Sequence, residues 1–144
     1  MIKIEKSVLI KRPQQEVFEF VTDLSNDSKW QSSIESVERV SDGPIGVGST
    51  WRYVGKFLGR KNETEIQMTS YDPPHQSRVK AVSGPIPFEN THTFQAQDGG
   101  TLLTFTGQAE IGGFFKIAEG LAAKQIEKQL ETDAAELKKL LEAG

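Results

Sequence analysis

Few side chains in this sequence can do acid–base chemistry near neutral pH, because the chain has two histidines and no cysteine. His75 stands between Pro74 and Gln76 in a predicted turn, which indicates an exposed position. His92 falls on the inward face of a predicted strand, and its side chain titrates in the range that a general acid or base requires. Tyr53 is predicted to face the same interior. His92 and Tyr53 are therefore the candidate catalytic residues, with a purely structural His92 as the alternative.

The composition argues against several other kinds of site. Without cysteine there is no disulfide, no thiolate nucleophile and no cysteine-based zinc or iron–sulfur site. Glu63 and Glu65 alternate outward on their predicted strand, so no paired-carboxylate mechanism is assigned. No phosphate-binding loop, dinucleotide fingerprint or nucleophile elbow occurs. We predict neither a metal nor a cofactor.

Charge and hydropathy restrict the partners. The formal charge is −3, from 17 Lys plus Arg against 20 Asp plus Glu, and both signs are spread along the chain. Nucleic acid binding needs a concentrated basic face, so we expect none. No apolar run approaches the roughly 20 residues of a membrane span, and the first residues alternate polar with apolar. We expect a cytoplasmic protein with no integral membrane association.

The elements that must position His92 and Tyr53 follow from periodicity. Residues 2–10 alternate as a half-buried strand does, and Pro13 then begins a helix, followed by a second short helix around Trp30. From Val37 to Thr106, turn residues separate a series of strands. After Gly113, apolar residues recur every three or four positions, which predicts one amphipathic helix of about 28 residues. No linker or repeat divides the chain, so residues 1–144 are predicted to form a single α+β domain.

The predicted hairpins indicate which side chains share the interior face. A turn at residues 59–60 places Tyr53 opposite Ile66 and Lys56 opposite Glu63, and a turn over residues 84–87 places Ser83 opposite Phe88. This register, with the helix, gives the predicted ligand-binding residues: Trp51, Tyr53, Phe57, Ile66, Met68, Ala81, Phe88, Asn90, His92, Phe94, Phe105, Phe114 and Ala118.

Small residues in the predicted interior favour a cavity between the sheet and the helix. Gly55, Ala81, Ser83, Gly107 and Ala109 all fall on the inward face and remove side-chain volume from it. Glycines within strands have a second explanation, because they also mark places where a strand bends sharply. Both explanations remain open for Gly55 and Gly107.

Three segments resemble the polyketide cyclase/dehydrase-like branch of the START-like (SRPBCC) superfamily: KRPQQEVFEFVTDLSNDSKW, GPIGVGSTWRY and GGFFKIAEGLAAKQIEKQLETDAAELKKLLE. The resemblance covers nearly the whole chain. It implies a helix-grip (START/Bet v-like) fold, in which a curved antiparallel sheet of about seven strands surrounds a long C-terminal helix, with two short helices after the first strand. The matching positions are packing and turn residues, here Pro13, Val17, Phe18, Asp23, Trp30, Gly48, Trp51 and Tyr53.

The resemblance leaves the function open among three classes. The first is binding or carriage of a small hydrophobic ligand, which is lipid, isoprenoid, sterol-like or polyketide-like. In this class the loops at residues 58–61 and 84–87 would close over the ligand. The second is a cyclase or aromatase-like enzyme that uses His92 and Tyr53 for acid–base chemistry. The third is a protein-interaction module. For the oligomeric state we expect a monomer or a weak homodimer. Ligand identity and any reaction lie beyond the sequence.

Overall fold

The computed structural model describes residues 2–57, 60–84, 86–110 and 119–143. Helix α1 is Gln14–Thr22, a 3₁₀ helix follows at Leu24–Lys29, and helix α2 is Glu119–Ala143. None of the described helices has the length and apolarity needed to cross a membrane. Seven strands lie within the described ranges: β1 Ile2–Ile10, β2 Ile34–Arg39, β3 Thr50–Phe57, β4 Arg60–Asp72, β5 Gln76–Ser83, β6 Phe88–Gln97 and β7 Gly100–Ala109.

The strands form one curled antiparallel sheet in the order β1-β7-β6-β5-β4-β3-β2. Strands β2 to β7 are therefore a meander in which each strand pairs with the next, and β1 joins the sheet beside β7. Helix α2 packs against β1, and the two short helices follow β1 as the sequence predicts. The predicted fold class, a helix-grip α+β fold, is confirmed.

The β3–β4 register differs from the prediction by two residues. Phe57 pairs with Arg60, so the connection holds two residues instead of the four that were predicted. Tyr53 therefore lies opposite Thr64, and Lys56 lies opposite Lys61 rather than Glu63. Glu35 on β2 offsets the repulsion between the two lysines, because its carboxylate oxygens lie 3.9 and 3.4 Å from their ammonium groups. An even shift leaves every side chain on its predicted face.

Strands β5 and β6 also pair two residues away from the predicted register. Val79 lies opposite Asn90, and the ladder ends one pair further on, so the predicted pair of Ser83 with Phe88 is wrong. Ser83 pairs instead with β4 and is exposed. Pro87 offers a physical reason, because proline has no N–H to donate to a ladder at this position. The two strands diverge there.

The buried apolar side chains form two main clusters. The first joins α1, β6, β7 and the C-terminal half of α2, through Phe18, Phe94, Leu103 and Leu137 among others. The second joins the 3₁₀ helix to β3, β4 and β5, and consists of Leu24, Trp51, Tyr53, Ile66, Met68 and Val79. The first cluster fixes α2 against the sheet, and the second packs the 3₁₀ helix onto the sheet.

The C-terminal end of α2 is held by the chain that leaves β1. The Arg12 guanidinium donates from Nε to the carbonyl oxygen of Leu141 at 2.8 Å, and the Lys11 N–H donates to Glu142 Oε2 at 2.8 Å. Lys138 Nζ donates to the carbonyl oxygen of Leu9 at 2.6 Å. The bond from Arg12 satisfies a carbonyl in the last turn of α2, and all three bonds hold the end of this helix against β1 and the residues that follow it.

We predict that Leu137→Ala lowers the free energy of unfolding by about 3 kcal/mol, because it removes a large side chain from a packed core. Leu137 is fully buried in the first cluster. Leu140→Ala is the matched control on the same helix, where the native side chain is 38% exposed, and should cost under about 1 kcal/mol. Urea unfolding measures both. Equal losses would contradict the orientation of α2.

Candidate functional site

A cavity of about 380 Å³ lies between the sheet and α2. Its wall is formed by β1, the 3₁₀ helix, the inward faces of β3 to β7, and α2. Most of this wall is apolar, with Ile4, Leu24, Ile66 and Ile126 from four different elements. The volume falls within the range of roughly 300–1,000 Å³ that is typical of small-molecule sites.

Helix α2 uses its apolar face in two ways. Toward its C-terminal end, Ala134 and Leu137 are buried in the first cluster. Nearer its N-terminal end, Ile126 and Leu130 lie on the same helix face but line the cavity, and both are half-buried. The amphipathic pattern that predicted one continuous helix therefore serves as packed core along one half and as cavity wall along the other.

Among the described residues, six of the predicted ligand-binding residues lie in the cavity wall. They come from four strands of the sheet, and period-two alternation points their side chains to the concave side. Their contact with a ligand remains a prediction. The six are Tyr53, Ile66, Phe88, Asn90, His92 and Phe105.

Other predicted residues lie elsewhere. Trp51 and Met68 are fully buried in the second cluster, and Phe94 is buried against the ring of Phe18 at a centroid distance of 5.0 Å. Ala81 is half-buried and is not part of the wall. The large side chains of Trp51, Met68 and Phe94 fill the space at the end of the sheet away from the cavity. The predicted residues that fall outside the described part are the Phe57 side chain, Phe114 and Ala118, together with positions 58, 59 and 85 of the predicted gate loops.

The two inward glycines turn out to serve different purposes. A Cβ on Gly55 would lie 2.7 Å from the backbone oxygen of Ser33, which also accepts a hydrogen bond from the Lys56 N–H at 2.8 Å. Gly55 is thus required for close approach of the segment before β2. A Cβ on Gly107 would instead lie 2.9 Å from Oδ1 of Asn90, which is a side-chain atom in the cavity wall. Gly107 therefore leaves room for a polar side chain in the cavity.

A hydrogen-bonded pair of Asp27 and Tyr53 belongs to the wall, and the sequence analysis missed its acidic member. Tyr53 Oη donates to Oδ2 of Asp27, and both residues are more than nine-tenths buried. Burial raises the pKa of Asp27 to about 8, with a smaller increase from Asp23, while the hydrogen bond from Tyr53 opposes the rise. Burial and the neighbouring Asp27 carboxyl raise the pKa of Tyr53 well above its usual value.

The 3₁₀ helix explains how Asp27 reaches the interior. Side chains three apart are eclipsed in this kind of helix, so Leu24, Asp27 and the following Trp30 share one face. All three are buried and line the cavity. Asp23 caps this helix by accepting from the Ser25 N–H at 3.2 Å. The signal in the sequence was therefore the three-residue spacing of Leu24, Asp27 and Trp30.

His92 lies in the wall next to Phe105, whose ring it meets edge-on at a centroid distance of 5.2 Å. Burial lowers the pKa of His92 to about 4, so the imidazole is neutral at pH 7. Asn90 precedes it by two positions on β6 and faces the same way. In the described part of the chain His92 and Tyr53 share no hydrogen bond, so the geometry does not join the two candidate catalytic residues.

A second carboxyl group enters the wall from α2. Asp133 Oδ1 accepts from the Ser32 N–H at 3.2 Å and from Gln129 Nε2 at 3.2 Å, which ties α2 to the segment before β2. Burial raises the pKa of Asp133 above its usual value. Among the described residues, no group of three His, Asp or Glu side chains comes close enough to hold a metal ion.

The buried carboxyl of Asp27 predicts a pH-dependent stability. Its pKa rises from 3.8 in the unfolded chain to about 8 in the fold, so the stability that protonation provides is lost as the pH rises toward 8. The lowered pKa of His92 makes the free energy of unfolding rise with pH, but only between about pH 4 and pH 6.5. Between pH 6.5 and 8 we therefore expect the free energy of unfolding to fall by about 1–2 kcal/mol.

Asp27→Asn should remove this fall, because the amide does not titrate. Urea unfolding of the variant and the wild type at pH 6.5 and pH 8 measures the fall in each protein. Because Asp133 is present in both, the difference between the two falls reports Asp27 alone. The other charged or titratable groups near it are Tyr53 and Asp23. The same fall in both proteins would mean that Asp27 is not protonated in the fold.

Comparison with solved structures agrees with this fold. TTHA0849 from Thermus thermophilus matches with a TM-score of 0.83 at 21% identity, covering 95% of this chain and 94% of that chain. The Zhui aromatase/cyclase from Streptomyces sp. R1128 matches with a TM-score of 0.78 at 16% identity, covering 95% and 91%. Ginseng major latex-like protein 151 from Panax ginseng matches with a TM-score of 0.63 at 13% identity, covering 90% and 96%. At these identities the likeness shows the fold alone.

Sequence comparison gives the family. No curated protein matches the chain. The model of the family described as polyketide cyclase/dehydrase and lipid transport matches residues 1–142. With nearly the full length matched, the chain belongs to the polyketide cyclase/dehydrase and lipid transport family, as the sequence resemblance predicted.

Proposed function

We propose that this protein binds and carries a small hydrophobic ligand in the cavity between the sheet and α2. The observation that supports this most directly is the unfilled, mainly apolar space of about 380 Å³. Protein interiors are normally packed to the density of organic crystals, so a space of this size requires an occupant or a function. The name of the family, which includes lipid transport, agrees with the proposal.

The dimensions favour a compact ligand. The cavity lies at the lower end of the range of roughly 300–1,000 Å³ typical of small-molecule sites. Such a volume suits a fused-ring molecule or a short isoprenoid better than a lipid with two long acyl chains. The few polar groups in the wall, among them Tyr53, Asn90 and His92, would orient one polar end of the ligand.

The geometry gives less support to the alternative, an enzyme that uses His92 and Tyr53. The hydroxyl proton of Tyr53 is already donated to Asp27, and its raised pKa makes ionisation unfavourable. A histidine with a pKa lowered to about 4 is a weak base at pH 7. The aromatase/cyclase among the structural neighbours agrees in fold only. Catalysis on a bound polyketide-like ligand therefore stays a prediction from the sequence.

Gly107→Phe should weaken uptake of an uncharged fluorescent probe, N-phenyl-1-naphthylamine, by tenfold or more. Gly107 lines the cavity, and a side chain there would displace Asn90 and occupy the space. Thr93→Phe is the matched control, because Thr93 is exposed on β6 and does not line the cavity. It should bind the probe as the wild type does.

Probe titration and circular dichroism of the three proteins test this proposal, and native mass spectrometry of the freshly purified wild type reports any copurified ligand. A carrier should release that ligand with its mass unchanged. If a folded Gly107→Phe variant bound the probe as tightly as the wild type, the cavity would not be the binding site.

A further inference from the structure

Carboxyl groups line the cavity from two different elements. Asp27 and Asp133 both line it, one from the 3₁₀ helix and one from α2. Among the described lining residues the basic side chain is Lys56, which is 64% exposed and lies 3.9 Å from Glu35 at the surface. Within the described wall, a buried anion would therefore meet two carboxyl groups and no inward-facing cation.

A few polar groups surround the Asp27 carboxyl. Its Oδ2 accepts from Tyr53, and the Trp30 and Gln31 side chains lie close enough to lower the pKa of Asp27. Trp30 Nε1 is buried without a hydrogen-bond partner of standard geometry in the described part of the chain. A carboxyl group in largely apolar surroundings favours a hydrogen-bonding group from a ligand.

The remaining polar groups of the wall are uncharged. His92 is neutral at pH 7, and Asn90, Gln125 and Gln129 carry amides. These groups can orient a ligand without selecting its charge. Selection by charge therefore falls to the carboxyl groups.

We propose that the cavity is selective for hydrophobic ligands that carry a hydroxyl or a protonated amine, which docks on the Asp27–Tyr53 pair, and that it excludes hydrophobic carboxylates. This inference rests on the proposed function, and it adds the chemical class of the ligand. A ligand hydroxyl, which can donate or accept, hydrogen-bonds to the Asp27 carboxyl, and an ammonium group makes a charge-assisted hydrogen bond to it, with the proton of Asp27 leaving to solvent. A carboxylate would lose its hydration and gain no countercharge from the described wall.

A matched series of naphthalene probes tests the selection at pH 7.5: 1-naphthalenemethanol, 1-naphthylmethylamine and 1-naphthoic acid. The ring system is constant, so the polar group alone changes. Fluorescence titration of the wild type should show binding of the alcohol and the amine, with the acid at least tenfold weaker than the alcohol. This comparison needs no variant to fold.

Two variants locate the effect. Asp27→Asn should weaken the amine by tenfold or more and the alcohol by less than threefold, because the amide accepts a hydrogen bond but carries no charge. Asp23→Asn is the control: Asp23 lies near Asp27 but does not line the cavity, and asparagine also caps a helix. It should leave all three affinities within twofold of the wild type.

The outcomes separate this inference from the proposed function. If the acid binds within threefold of the alcohol, or if Asp27→Asn weakens the amine and the alcohol equally, the inference is wrong and the carrier function stands. The inference also fails if N-phenyl-1-naphthylamine binds and none of the three probes does. If neither that probe nor the series binds, the proposed function fails with it.

Discussion

The proposed function depends on a space that the inward side chains of the sheet leave unfilled. Large residues such as Trp51, Met68 and Phe94 pack the sheet toward one end, and the residues that line the other end, Phe88 and Phe105 among them, leave a cavity. The first cluster, which contains Ala134, Leu137 and Leu141 of α2, holds the helix at a fixed distance from the sheet, because packed interiors deform little. The cavity is thus held open by the same contacts that stabilise the fold.

Burial of Asp27 is the second constraint, and it works against stability. A carboxyl group removed from water is costly when ionised, and one hydrogen bond from Tyr53 offsets part of this cost. A structural role alone would be met at least as well by an amide or an apolar side chain. The presence of an acidic group at the cavity wall is therefore easier to explain by what it does to a ligand.

The sequence was a good guide to faces and a poor guide to position along a strand. Two-residue periodicity predicted correctly that Tyr53, Asn90 and His92 point inward, and the even shift in both hairpins left this unchanged. The same periodicity could not tell that Trp51 and Met68 pack into the filled end, since that depends on how the sheet curls.

Asp27 was missed for a different reason. Its segment is rich in Asp, Ser and Asn, which is typical of a turn. The burial of Leu24, Asp27 and Trp30 on one face follows only if the segment is a 3₁₀ helix and packs over the sheet. Likewise, Gly55 is required because Ser33 approaches its backbone closely. This contact joins distant parts of the chain, so no local sequence pattern predicts it.

The most direct test of the central claim is to locate a bound ligand by NMR, through intermolecular nuclear Overhauser effects between 1-naphthalenemethanol and the protein. We predict effects from the naphthalene protons to Phe105 and His92 on the sheet and to Ile126 on α2, all of which line the cavity. Effects confined to exposed apolar residues such as Val47 and Leu121 would place the ligand on the surface and contradict the account.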